Sequence, residues 1–271
     1  MQTATSTGLM IETIELPSQA LQRSVTVNFY GPATDSDTNS LSLLLLNDGQ
    51  DIEAMGFDKM LSYLQQTDAL APLLCVGIHC GEDRVYEYGM AGRPDFKGRG
   101  AKATQYTLFI VEELLPYIQQ RYSKVTFKET GFAGFSIGGL SALDLVWNHP
   151  NLFSKVGVFS GSLWWRSKEK TEKDFNETAD RLVHRAIRQG SYQPGLKFFF
   201  QCGEQDEQED RNNNGVIDAI DDTIDVMREL FAKGYLEGKD MYYLQLPDGK
   251  HDVRSWAKAL PVFLKWGWRK K

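Results

Sequence analysis

Three cysteines, four histidines, nine prolines and a net charge of −6 are what these 271 residues have little of, and each scarcity excludes something. Cys75, Cys80 and Cys202 are odd in number and lie in or beside apolar runs. They read as buried reduced thiols, not as a disulfide framework. The deficit of positive charge argues against nucleic acid as a partner, because phosphate binding needs a basic surface. The apolar run Leu41–Leu46 is strand-sized, and no run is long enough to span a bilayer, so no membrane partner is expected. The opening residues, Met1 to Gly8, lack both a basic region and an apolar core, so no signal peptide is expected. With reduced thiols, this points to a cytoplasmic protein. No repeat and no Pro/Ser-rich linker interrupts the chain. One domain over residues 1–271 is expected, with residues 1–20 a loosely ordered or edge-strand start. The sequence carries no signal for oligomeric state.

What is present alternates between strand and helix, the pattern of an α/β protein with a mostly parallel sheet and helices on both faces. Ser24–Tyr30 alternates as a strand and stops at Gly31-Pro32. Leu41–Leu46 and Leu73–Ile78 are continuous apolar strands, as expected of strands covered on both sides. Later strands are expected at Lys155–Phe159, Leu196–Gln201 and Met241–Leu246. Helices are expected over 58–66, 101–122 (with Pro116 an irregularity), 174–189, 222–233 and 253–266. In such sheets catalytic groups sit on loops after the strand C-termini.

One of these junctions is distinctive. Thr126–Ala133 reads as a strand and Gly139–Trp147 as a helix, and between them stands Gly134-Phe-Ser136-Ile-Gly138. This is a nucleophile elbow, in which flanking glycines permit a turn tight enough to project Ser136 Oγ. A serine hydroxyl needs an imidazole to accept its proton. His149 precedes Pro150 at a helix end, His184 lies in a helical stretch, and His79 ends a strand. His251 occupies the loop 247–252 after a strand and before a helix, the placement a base needs, with His79 the alternative. The acid that orients it is expected on the loop after Leu196–Gln201, where Asp206 is the choice over Glu204 and Glu207. The order Ser136, Asp206, His251 is that of α/β-hydrolases. The oxyanion would be held by the backbone N–H groups of Ile137 and Gln50.

These residues resemble an esterase family of the α/β-hydrolase fold that includes enterochelin, feruloyl and acetylxylan esterases, esterase D and mycolyltransferases. The likeness runs from about Arg23 to Trp266. It rests on Asn47-Asp-Gly-Gln50, Gly134–Gly139, Ser160-Gly-Ser-Leu-Trp-Trp165 and Gly249-Lys-His-Asp252 followed by Trp256. The resemblance implies a serine carboxylic-ester hydrolase with Ser136, His251 and Asp206 as its triad. It implies no cofactor for the chemistry, a small-molecule ester as the partner, and a pocket lined by Arg84, Tyr88, Trp164 and Trp165. The alternatives are an acyltransferase using an alcohol acceptor and a non-catalytic binding domain on the same scaffold.

A second motif has the spacing of a calcium loop. Asp210, Asn212, Asn214, Asp218 and Asp221 place oxygens at its positions 1, 3, 5, 9 and 12. Gly215 allows the sharp turn at position 6, and Val216 would offer its carbonyl at 7. The loop resembles EF-hand and dockerin loops, except that Asp221 replaces the bidentate glutamate. A structural Ca²⁺ that orders the neighbouring acid loop is the expectation.

Overall fold

A computed structural model describes residues 2–4, 9–32 and 40–270. Among the described residues, nine strands form one sheet in the order β1-β2-β3-β5-β4-β6-β7-β8-β9. At one edge, β1 (Gln2–Ala4), β2 (Met10–Ser18) and β3 (Arg23–Gly31) run antiparallel. β3 also pairs antiparallel with β5 (Leu73–Ile78). Beyond it the remaining neighbours all pair in parallel: β4 (Ser40–Asn47), β6 (Thr126–Phe135), β7 (Lys155–Phe159), β8 (Lys197–Gln205) and β9 (Met241–Lys250).

The apolar runs explain why these strands lie inside. Leu43–Leu46 of β4 and Phe198–Phe200 of β8 are buried on both faces of the sheet. One face is covered by α6 (Ile137–Asn148), α8 (Leu182–Gln189), α9 (Asp218–Lys233) and the 103–121 region. The other is covered by α2 (Phe57–Gln66) and α10 (Val253–Trp268). Among the described residues, no helix is long and apolar enough to cross a membrane. The three cysteines are free thiols, with Cys75 and Cys202 buried.

Two departures from the sequence pattern have clear causes. The helix expected over 101–122 is broken into a short helix Ala103–Leu108, a π-helical stretch Phe109–Leu114 and a helix Leu115–Arg121. Pro116 lacks an N–H and its ring crowds the preceding turn, so the wider π turn absorbs the misfit. β9 runs on through Pro247 to Lys250, four residues past the expected end. Proline is tolerated there because β9 is an edge strand with one unpaired side.

Candidate active site

β6 ends at Phe135 and α6 begins at Ile137, leaving Ser136 alone in the turn with φ 55° and ψ −124°. This is strained for a residue with a side chain. The turn closes so tightly that a Cβ on Gly134 would lie 2.3 Å from the Gly138 carbonyl oxygen. Neighbouring strands hold the elbow. The Ser136 N–H donates to the Phe159 carbonyl at 2.9 Å, and the Ser162 N–H donates to the Ser136 carbonyl at 3.1 Å. Ser136 Oγ lies 3.5 Å from Ser162 Oγ.

Asp206 and His251 are brought together by strand register. Gln205 of β8 pairs with Lys250 of β9, so the next residues, Asp206 and His251, leave adjacent strand ends side by side. Oδ2 of the half-buried Asp206 accepts the Gly203 N–H at 3.0 Å, while Oδ1 is buried without a hydrogen-bond partner. Burial pushes the Asp206 carboxyl up; the Gly203 N–H, the Ser160 hydroxyl and the charge of His251 oppose the shift. Ser160 is itself fixed by the Trp256 Nε1–H, which donates to its Oγ at 3.0 Å. Trp256 also meets the His251 ring edge-on at 5.3 Å. Desolvation lowers the His251 pKa against the pull of Asp206, and Arg84 lowers it further. That direction favours the neutral imidazole, the form a base requires. No hydrogen bond joins Ser136, His251 and Asp206 to one another.

The competing side chains point elsewhere. Glu204 accepts from Gln245 Nε2 at 2.7 Å, on the exposed side. His79 contacts Asn28, and His149 caps the end of α6. His184 is buried against Arg181 and the Asp222 carbonyl, with its pKa lowered to about 3.

Opposite Ser136, the Asn47–Gln50 loop follows β4. Ile137 and Gln50 occupy the first turns of α6 and of the short helix Gly49–Ile52, so their N–H groups have no intrahelical acceptor. The loop is clamped in a way the sequence does not disclose. Asp48, at φ 59°, is almost wholly buried and takes Arg84 Nε and Nη2 on its two oxygens at 2.7 and 2.8 Å. Its Oδ2 stands where a Cβ on Gly138 would be, 2.7 Å away. Its N–H donates to the Tyr88 hydroxyl. Asn47 donates Nδ2 to the Gly138 carbonyl at 2.8 Å and accepts from the Tyr106 hydroxyl. The Gln50 side chain accepts the Cys80 N–H, tying the loop to the end of β5.

Residues 18–266 match the model of the family described as "Putative esterase". The chain belongs to this esterase family. A relative from Bacillus subtilis, the uncharacterized protein YbbA, is 24% identical over 245 residues, covering 87% of this chain and 88% of its own. The diacylglycerol acyltransferase/mycolyltransferase Ag85A of Mycobacterium leprae is 31% identical over 166 residues, 58% of this chain and 45% of its own. Among solved structures, the enterobactin esterase FES of Shigella flexneri superposes with a TM-score of 0.71 at 21% identity. It aligns with 94% of this chain, which spans only 58% of that protein.

Within this esterase-family chain, two residues expected in the pocket belong to the scaffold. Tyr88 and Trp165 are both fully buried. The Tyr88 hydroxyl is used by Asp48, and Trp165 Nε1 by the Arg93 carbonyl at 2.9 Å, so neither offers a surface to a ligand. Arg84 is half-buried and committed to Asp48. Trp164 alone of the four faces open space. The Arg99 guanidinium lies 4.5 Å over its ring, and both line a cavity of about 230 Å³ whose walls include Arg166, Lys170 and Glu207.

The calcium-like loop is only partly assembled. Asn212 and Asn214 turn their Nδ2 groups to Asp221 Oδ2 at 2.8 and 2.9 Å, and Asp210 accepts the N–H groups of Asn214 and Gly215. Asp218 is buried and faces Arg211 instead, accepting its N–H at 2.7 Å. Asp218 thus sits outside the group in which the sequence spacing places it. Among the described residues, no three His, Cys, Asp or Glu side chains come together as a metal-binding group.

Proposed function

We propose that the chain hydrolyses carboxylic esters through an acyl-Ser136 intermediate. The observation that carries this reading is the register at the strand ends. The strained elbow presents Ser136, while the Gln205–Lys250 pair sets Asp206 beside His251. Ser136 Oγ adds to the ester carbonyl carbon as its proton passes to the His251 imidazole. The new oxyanion is received by the Ile137 and Gln50 N–H groups, and Asp206 Oδ1, free of other donors, holds the imidazolium. Collapse breaks the bond to the alcohol, which departs with the proton from His251. Water then repeats the sequence on the acyl-enzyme, with His251 as its base. The missing triad hydrogen bonds are of the kind that tighten around substrate. The chemistry uses no metal.

A fluorophosphonate probe tests this directly. It should label Ser136, identified by peptide mass, and fail to label folded Ser136→Ala. Because the His251 pKa is lowered, the labelling rate should rise with pH and level off with a midpoint below the ordinary histidine value of 6.5. A folded wild-type protein that takes no label would overturn the reading.

The likeness to a mycolyltransferase favours one rival, in which an alcohol replaces water at deacylation. Product analysis with added alcohols separates the two. We place the ester's larger group in the cavity beside Trp164. A panel of siderophore lactones, feruloyl and acetyl saccharide esters and thioesters would define the substrate.

We also assign the 210–221 loop as a structural calcium site formed by Asp210, Asn212, Asn214, the Val216 carbonyl and Asp221. Support comes from the ligand spacing of the sequence; Asn212 and Asn214, whose Nδ2 groups now donate to Asp221 Oδ2, would turn their oxygens inward to bind. Saturating Ca²⁺ should raise Tm by roughly 5 °C, and Asp221→Ala should remove that rise. An unchanged Tm would refute the assignment.

A further inference from the structure

The parallel strands begin at the edge of the sheet opposite Ser136, and a cleft of about 940 Å³ opens there. Its walls carry Lys128, Lys155, Lys197, Arg269 and Lys270 against one carboxylate, Glu129. That concentration of cations stands out in a chain of net charge −6. Lys270 is neutralised by Asp68, and Lys155 by Glu129. Among the described residues, Lys128, Lys197 and Arg269 have no ion-pair partner.

Two buried groups distinguish this cleft from an ordinary basic surface. Lys155 is only 6% exposed, and its ammonium lies 5.3 Å over the Trp268 ring. Burial, and secondarily the nearby charge of Lys197, push its pKa down against the pull of Glu129. Trp268 is 2% exposed, and its Nε1–H has no acceptor in the protein. A buried indole N–H nearly always finds a partner, and Trp268 is among the residues that line the cleft. The free groups are donors or cations, so the complement is an acceptor-rich anion.

We propose that this cleft binds a small soluble molecule bearing a multivalent phosphate-type oxyanion, held by Lys128, Lys197, Arg269 and the Trp268 N–H. A phosphate on a lipid headgroup would share that chemistry. However, among the described residues none of the exposed large apolar side chains lines the cleft, and its partly exposed Trp266 is packed against Phe199 and Phe263, so the cleft offers no apolar cluster to insert into a bilayer.

Inorganic pyrophosphate is the probe. Titration calorimetry should show saturable binding, weakened about tenfold by each of Lys128→Ala and Lys197→Ala, in line with one charge-assisted hydrogen bond lost. Trp268→Phe should weaken it with the lysines intact. The two exposed lysine variants should keep the wild-type Tm and ester hydrolysis, because they lie at the opposite sheet edge from Ser136. Absence of binding at millimolar pyrophosphate, or binding that survives both lysine variants, overturns the proposal. So does lysine-dependent co-sedimentation with phosphatidylserine vesicles, which would assign the cleft to a membrane surface.

Discussion

Ser136→Ala and His251→Ala are each expected to lower kcat/KM for ester hydrolysis by a factor on the order of 10⁴ to 10⁶, and the double variant by no more than the worse single one. Non-additivity is the informative part. The hydroxyl is a nucleophile only while the imidazole takes its proton, so removing either removes the same function. Steady-state kinetics on any turned-over ester, with circular dichroism to confirm folding, would measure this. Losses that multiplied would show that the two residues act separately and would break the triad. The loss should fall on kcat, since neither residue is needed to hold the substrate's remote groups.

Arg84→Met is expected to have the second large effect, on both stability and rate. It would leave the Asp48 carboxylate, with a side chain only 2% exposed, buried beside Gly138 without a counter-charge. An uncompensated buried charge costs about 3 kcal/mol here, the lower end of the usual range because Arg84 keeps one side in water. Relaxation of the strained Asp48 turn would also move the Gln50 amide two residues on. Loss of one oxyanion donor lowers kcat by about 100-fold. Urea unfolding and initial rates test the two parts separately. Adding Asp48→Asn to Arg84→Met should restore most of the stability, because it removes the stranded charge. A variant with wild-type kcat would show that the clamp does not position the oxyanion hole.

The legible parts of the sequence were those governed by local rules. Continuous Leu and Phe runs identified β4, β5 and the core of β8, because a strand covered on both faces has no polar residues to place. The elbow was legible because its glycines meet a backbone requirement within five residues. The loop position of His251, after a strand and before a helix, was likewise legible. What escaped was set by partners distant in sequence. Asp48 with Arg84 and Asn47 with Tyr106 are separated by 36 and 59 residues, and neither pair leaves a periodic trace. Tyr88 and Trp165 misled for the complementary reason. Aromatics on strand-end loops suit a ligand pocket or a scaffold equally well, and only their burial separates the two. β2 was expected only as a loosely ordered or edge-strand start and not delimited, because Glu12, Glu15 and Pro17 blur its alternation, although it pairs with β3 along its whole length.

Asp206 and His251, the proposed acid and base, hang from the last two strands, and His251 from an edge strand secured on one side only. Ser136 and the Asn47–Gln50 loop rise instead from β6 and β4, neighbours within the sheet interior. On the proposed reading, catalytic competence can be lost while the fold stays intact. Fraying of β9 and the start of α10 would disconnect the proton relay while leaving Ser136 poised in an intact elbow. The serine would then be dormant inside a protein that is otherwise still folded.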